Sequence, residues 1–488
     1  MLRPKRGKDI AERLEEIKKN QVFEVLLKDK SVEEVFSGVK VVAGDVGEEN
    51  LGLSPTDRKA VTGNVNVIFH SAATLDFGDT LKATVDINLL GTRRVVQLAK
   101  ECSNLSALVH VSSAYVNSYR LEADEVIYPL KTNAEDIIAL VNKLSPEELE
   151  EQTPSILGDH PNTYTITKHM AEHEVQKAEQ LFPCTIVRPS MIVGAWKEPT
   201  PGWTISKNGP QGFLMGAAKG VIRRLPVGKE LIYDYIPVDT VVNNLLTAGF
   251  YAGVMKPKTV TVFHSTSSTR NPFRWLSVED KINDYLHTFP LMSAVWYPHL
   301  KLLPSIAWYK ISTLFIHIFP AIILDTVTKL SGGRPILMKL HRNVNTSLAR
   351  LEKFIFYRVE IYSNENDGFA GIFIALNLVL DHSHSLCIFF KDWLSGDDKT
   401  DFNLDISSLV WQEYFNDLTL GARVYLNKES VKNLSAAKTK DKILYGVHII
   451  WQVGIFSLIW YLFACITGMT MSSSMFVLPV LFILYNLL

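Results

Sequence analysis

Tyr164-Thr165-Ile166-Thr167-Lys168 places a phenol and an ammonium four residues apart. On a helix, positions i and i+4 share a face, so Lys168 is expected beside Tyr164. An ammonium near a phenol favours the phenolate and should lower a pKa that is ordinarily about 10. A tyrosine so tuned hands a proton to a carbonyl oxygen near neutral pH. The spacing alone is common on exposed helix faces, so its surroundings decide its meaning. Upstream, Ser112 and Ser113 close an apolar run, Ala107-Leu108-Val109-His110-Val111. A serine hydroxyl there can bond the same oxygen. Serine, tyrosine and lysine around one oxygen form the proton-donating half of a hydride-transfer site.

The surrounding pattern supplies the elements that such a site needs. Val39-Lys40-Val41-Val42-Ala43 ends at Gly44-Asp45, and Val65-Asn66-Val67-Ile68-Phe69 ends at His70-Ser71. The serine-bearing run follows, and then Cys184-Thr185-Ile186-Val187, which ends at Arg188-Pro189-Ser190. Each reads as a strand. A helix is expected over 80–102, with Val85, Leu89, Val95, Val96 and Leu98 on one buried face. Apolar strands alternating with helices imply a parallel sheet covered on both sides. The polar residues gather just after the strands, at the carboxyl edge where such sheets bind ligands.

Composition narrows the function classes. Of 488 residues, 47% are apolar and 21% charged, so the chain can build a sizeable core. The net charge of −1 offers no basic field, which argues against a nucleic-acid partner. Cys102, Cys184, Cys387 and Cys465 are far apart, without the spacing of a disulfide framework or zinc site. The polar N-terminus does not read as a signal peptide. Residues 443–488 contain no Asp, Glu, Lys or Arg. Their first 25 residues are apolar on every face and long enough to cross a bilayer. Lys438, Lys440 and Lys442 flank that span and predict a cytosolic side. A second apolar stretch, 475–488, reads as a half-inserted return or a thin-membrane span.

Between the strand–helix region and the tail the pattern is less regular. Residues 266–330 are rich in aromatics and proline, and 311–324 form an apolar stretch containing Pro320. An interfacial or buried helix is the favoured reading of that stretch, rather than a span. Residues 331–432 read as a helical domain, broken by an unusual insertion at 357–390. His382 and His384 within it have the spacing of a metal pair but no further ligand nearby, so a surface loop is favoured over a metal site.

The order of these motifs resembles the extended short-chain dehydrogenase/reductases, and within them the alcohol-forming fatty acyl-CoA reductases of insect type. The resemblance rests on 67–73, on Asn88-Leu89-Leu90-Gly91-Thr92, on 109–117, and on Tyr164 to Lys168. It continues through Arg188-Pro189-Ser190, 201–212, Tyr235-Ile236-Pro237-Val238-Asp239, 345–356 and 411–425. It implies a Rossmann-like, doubly wound α/β reductase domain over 1–265, a substrate region over 266–330, a helical domain over 331–432 and a transmembrane tail over 443–488. It also implies NADPH-dependent reduction of a long-chain fatty acyl-CoA, through an aldehyde, to a fatty alcohol at the endoplasmic reticulum or the peroxisome. By position, Tyr164 is the proton donor, Lys168 its modulator and a ribose contact, and Ser113, rather than Ser112, orients the carbonyl. Asp45 approaches the adenine and Arg3 the 2′-phosphate. Ala72 and Ala73 let ribose and pyrophosphate lie close, and Pro189 and Ser190 border the nicotinamide.

Such a domain is expected to open with a strand, a TGxxGxxG turn and a helix, which aim N–H groups at the pyrophosphate. This sequence has no such turn. Gly209-Pro210-Gln211-Gly212 follows the Tyr164 motif and matches a substrate-side segment instead. Met1-Leu2-Arg3-Pro4 reads as the end of a second strand, so the expectation is an N-terminally incomplete sheet whose 39–43 and 65–69 strands each expose an unpaired edge. Two other readings stay open. One is a different extended reductase acting on a sterol or lipid; the other is a non-catalytic membrane scaffold.

Overall fold

Successive side chains of a strand face opposite ways, and a strand buried on both faces must be apolar at every position. Neighbouring pairs that meet that condition include Leu108 and Val109, Ile186 and Val187, and Val262 and Phe263. A computed structural model describes residues 1–335 except 6, 77 and 121, together with 337–339, 342, 379–380 and 402–487. The insertion read at 357–390 and the His382/His384 pair lie outside the described residues, save the backbone of 379–380. The chain divides into two compact units. The first comprises Met1–Trp203, Ile232–Phe273 and the described part of 375–410; the second comprises Thr204–Leu231, the described part of 274–374, and Trp411–Leu488.

The first unit is built on four parallel strands in the order β1 (Val67–His70), β2 (Ala107–Val111), β3 (Cys184–Pro189) and β4 (Thr261–Ser265). Helices α1 (Leu90–Glu101) and α2 (Thr163–Gln176) lie on one side. There Val95, Val96, Leu98 and Val175 pack on Leu108, Ile186 and Val262. Helix α3 (Val238–Met255) covers the other side, where Ala248 meets Val109, Val187 and Phe263. Burying each large apolar side chain contributes about 1.5–3 kcal/mol, so the double layer holds the carboxyl ends of the strands in fixed register.

The run 39–43 is not a strand. Among the described residues its ladder partner is Leu2 alone, bridged in parallel to Ala43. One bridge does not propagate a strand, whatever the β-propensity of the run. The edge of β1 away from β2 has no strand beside it among the described residues, and Val67 and Phe69 stand exposed there. The helix expected over 80–102 forms, but not as one regular helix. It runs Leu81–Thr84, widens into a π-turn at Val85–Leu89, and resumes as α1.

In the second unit, α4 (Ile306–Thr313), a π-turn at Leu314–Ile318 and α5 (Phe319–Leu330) make one continuous rod. Pro320 sits in the first turn of α5, after the π-turn, so it does not interrupt the rod. Helix α6 (Trp411–Gly421) packs Phe415 edge-on against Trp275. Helix α7 (Leu434–Thr467) carries the charge-free span and ends at Gly468, whose φ of 68° needs a residue without Cβ strain. Helix α8 (Val477–Leu487) folds back along α7, with Phe476 on Phe463, Tyr485 on Phe456, and Trp460 Nε1 donating to Ser474 Oγ at 3.0 Å. Among the described residues, two helical stretches, Ala307–Leu330 and Val431–Thr467, are long and apolar enough to cross a membrane. The first exceeds the 311–324 stretch read from the sequence.

Candidate active site

Helix α2 begins because Asn162 caps it, its side chain accepting from Thr165 N–H at 2.9 Å. From that start Tyr164 and Lys168 fall on one face, both buried. The Lys168 ammonium donates to the Val111 carbonyl at 2.7 Å, at the last residue of β2. The next two residues diverge. Ser113 is hydrogen-bonded to the Tyr164 hydroxyl. Ser112 instead donates to Glu172 on α2. Tyr164, Lys168 and Ser113 therefore meet at the carboxyl end of β2, and Ser112 is turned away.

The electrostatics of the tyrosine differ from the expectation. Burial pushes Tyr164 up to about 12, opposed only in part by its bond to Ser113. The spacing of Tyr164 and Lys168 fixes a shared face but not the solvation of either group. Lys168 is itself desolvated, down to about 8, with Glu172 pulling the other way. Beneath them His70 and His110 are cross-strand neighbours with ring centroids 5.1 Å apart. Burial and the nearby Lys168 charge lower His70 to about 3 and hold His110 well below its ordinary value, so both rings are neutral. Thr92 Oγ1 donates its proton to the Asn88 carbonyl at 2.7 Å, which leaves His70 Nε2 as the donor in its 2.9 Å contact with that hydroxyl.

Three supporting residues went unassigned in the sequence. Glu172 lies eight residues beyond Tyr164, on the same helical face. It takes a bidentate contact from Arg188, at 2.8 and 2.7 Å, with both side chains fully buried. Arg188 also donates to the carbonyls of Asp124 and Val126. This pair ties α2 to β3 and to the segment after Ser113. The repeat Tyr164, Lys168, Glu172 at intervals of four was the available signal. Asn88, in the π-turn, accepts from Thr74 N–H at 2.9 Å and donates to Thr167 at 3.3 Å. It thereby fixes the segment after β1 against α2. Asp239, in the first turn of α3, accepts from the N–H groups of Trp196, Lys197 and Glu198 at 2.9, 2.8 and 3.1 Å. It organises the loop that follows Ser190.

The remaining sequence candidates are spread more widely. Ala72 and Ala73 follow β1, the first exposed and the second half-buried. Pro189 ends β3, and Ser190 N–H donates to Ser265 O at 3.0 Å. Arg3 meets Asp45 at 3.3 Å, beside the Leu2–Ala43 bridge. Gly209 to Gly212 belongs to the second unit, where Pro210 opens the helix Pro210–Ala218.

A parallel sheet layered by helices, with tyrosine and lysine on one helix and serine at a strand end, defines a Rossmann-like reductase. The family model described as male sterility protein, an NAD-binding domain, matches residues 1–245. A Drosophila melanogaster protein carrying the fatty acyl-CoA reductase name is 50% identical over 494 aligned positions, which take in 100% of this chain and 92% of that protein. Fatty acyl-CoA reductase 1 of Rattus norvegicus is 31% identical, covering 95% of this chain and 85% of the rat protein. The chain belongs to the fatty acyl-CoA reductase family of the extended short-chain dehydrogenase/reductase superfamily. Among solved structures it is similar to the terminal R domain of the myxalamid PKS-NRPS pathway, at 21% identity and a TM-score of 0.42 over 64% of this chain and 67% of that one.

Proposed function

We propose that this chain reduces a long-chain acyl-CoA to a fatty alcohol, through the aldehyde, with NADPH. The convergence of Tyr164, Ser113 and Lys168 at the end of β2 carries the reading. The residues present fit parts of a nicotinamide dinucleotide: the buried Lys168 ammonium and the small side chains after β1 suit a ribose, and Arg3 beside Asp45 suits a 2′-phosphate and an adenine, whereas this sequence has no glycine turn for the pyrophosphate. When bound, the cofactor supplies hydride.

The protein's own residues manage the oxygen and the proton. Ser113 donates to the substrate carbonyl and fixes its direction. Tyr164 keeps its proton well above neutral pH, and the alkoxide formed on hydride addition is the stronger base and takes it. Lys168, protonated below about pH 8, stabilises the phenolate left behind. Two such rounds consume two hydrides and two protons. In the first, sulfur leaves as the thiol and the aldehyde remains; in the second, the aldehyde becomes the alcohol. Glu172 and Arg188 hold the serine strand end and α2 in register.

The tail anchors the protein in a bilayer of the endoplasmic reticulum or peroxisome with the reductase on the cytosolic side, as the lysines before the span favour. The test is direct. Purified protein is titrated with NADPH and with NADH while cofactor fluorescence is followed, and products from palmitoyl-CoA are identified. Saturable binding with preference for NADPH and accumulation of hexadecanol are expected. Absence of binding would favour the scaffold reading.

A further inference from the structure

A helix on the surface of a water-soluble unit turns its apolar side inward and its polar side outward. The rod of α4, its π-turn and α5 does the reverse over much of its length. Outward it presents Trp308, Ile311, Leu314, Phe315, Phe319 and Ile322, which are 36–56% exposed. Their spacing of three and four residues makes one continuous stripe along the rod. Inward it buries Ser312, Thr313 and His317 among Tyr309, Ile316 and Ala321. The more polar face is therefore the one packed on protein.

Water cannot be the intended partner of such a stripe. Exposed aromatic and aliphatic side chains in a continuous row mark an apolar contact. Two features identify it. First, the stripe belongs to the unit that carries the charge-free tail, and the two are physically joined. Arg223 N–H donates to His317 Nε2 on the rod at 3.1 Å, and Arg223 Nη2 donates to Tyr485 on the returning helix α8 at 3.0 Å. Second, Lys310 and Lys329 are exposed on the rod itself. Long cationic side chains beside an apolar stripe reach the phosphates of a lipid surface.

The inner face excludes a transbilayer placement. The rod leans on the strands Arg224–Pro226 and Lys301–Leu303 of its own unit. Passage through the hydrocarbon would carry Arg223, Arg224 and Lys301 with it, and each such charge at mid-bilayer costs several kcal/mol. A helix packed on protein along one side and apolar along the other satisfies both sides by lying in the membrane plane.

We propose that the stripe from Trp308 to Ile322 is an in-plane membrane contact whose partner is the boundary between lipid headgroups and acyl chains. It rests on the reading of the tail as a membrane anchor and adds a second attachment to it. The protein is held by an inserted hairpin and by a flat helix, not by a flexible tether alone. Interfacial helices of this kind sink about 5–10 Å into the boundary.

The full chain is reconstituted into phosphatidylcholine vesicles with a minor fraction of phosphatidylserine. One set contains a photoreactive lipid with its diazirine near the headgroup, another a lipid with the diazirine at the chain end. After illumination, adducts are mapped by mass spectrometry. Headgroup-proximal adducts are expected on 308, 311, 315, 319 and 322, about tenfold above those on 309, 312 and 316, the contrast of a helix with a single lipid face. Chain-end adducts are expected in α7 and not on the rod. A labelled α7 with an unlabelled rod would overturn the in-plane contact and leave the anchor standing. An unlabelled α7 would overturn the anchor itself. Chain-end adducts that deepen steadily from 308 to 322 would show a span and overturn the proposal. Protein–protein cross-links from Phe315→p-benzoylphenylalanine, in place of lipid adducts, would assign the stripe to a second copy and overturn it as well.

Discussion

Two carboxylate–guanidinium pairs in the first unit differ in almost every physical respect. Glu172 and Arg188 are fully buried and joined at two points. Arg3 and Asp45 meet once, at 3.3 Å, with side chains 49% and 21% exposed. The buried pair has no competing water, so its geometry is fixed and its loss leaves an uncompensated charge. The exposed pair is screened and worth less than about 1 kcal/mol. The contrast assigns them different work. Glu172 and Arg188 hold α2 and the end of β3 still, whereas parting Arg3 from Asp45 costs little, which suits the proposed exchange of Asp45 for a cofactor phosphate.

The largest effect should come from the group that the buried pair supports. Tyr164→Phe keeps the ring and removes the proton, so turnover of palmitoyl-CoA should fall by about 10²–10⁴ with near-normal NADPH binding. A fall of less than threefold would remove Tyr164 from the role of acid. Next, Glu172→Gln strands the Arg188 guanidinium and should cost about 3–5 kcal/mol of stability, seen as a lower unfolding midpoint of the protein. An unchanged midpoint would erase the distinction between the two pairs.

The third test is a pH profile. Burial lowers Lys168 from 10.5 to about 8, so its ammonium is present below that pH and lost above it. Reduction should therefore decline above about pH 8, tenfold per unit in the limit. In Lys168→Met that limb should vanish along with most of the rate; a limb that persists belongs to another group. The smallest effect is expected at the exposed pair. Arg3→Ala should leave the unfolding midpoint unchanged while raising KM for NADPH about tenfold, equivalent to ~1.4 kcal/mol, with KM for NADH unaltered. Equal loss with both cofactors would separate Arg3 from the 2′-phosphate.

Much of this was legible in the residues. β2, β3 and most of β1 follow from apolar runs that end in polar residues, and the neighbours Tyr164 and Lys168 follow from helical spacing. What escaped depended on three-dimensional surroundings. The 39–43 run has strand composition, but a strand also needs a partner ladder. The direction of the Tyr164 shift depends on burial, which spacing does not encode. Ser112 and Ser113 are chemically identical, and the resemblance alone favoured Ser113; the physical ground, that Glu172 claims Ser112, lies in the structure. Asp239 reads as an ordinary first-turn acid, and its three N–H donors come from a loop 41 to 43 residues away.

The π-turn at Val85–Leu89 has a consequence for insertions and deletions. It holds one residue more than a regular helical turn. Removing a residue there would repair the helix, satisfy its i to i−4 bonds and improve local backbone regularity. The same edit would leave the flanking helices in phase, because the widened turn already absorbs the extra residue, but it would draw in the wide turn itself. Asn88, 1% exposed and held between Thr74 and Thr167, would swing out of its contacts. At this point in the chain the change that most regularises the helix is the one that uncouples the segment after β1 from α2. Length polymorphism should be tolerated less here than almost any single substitution.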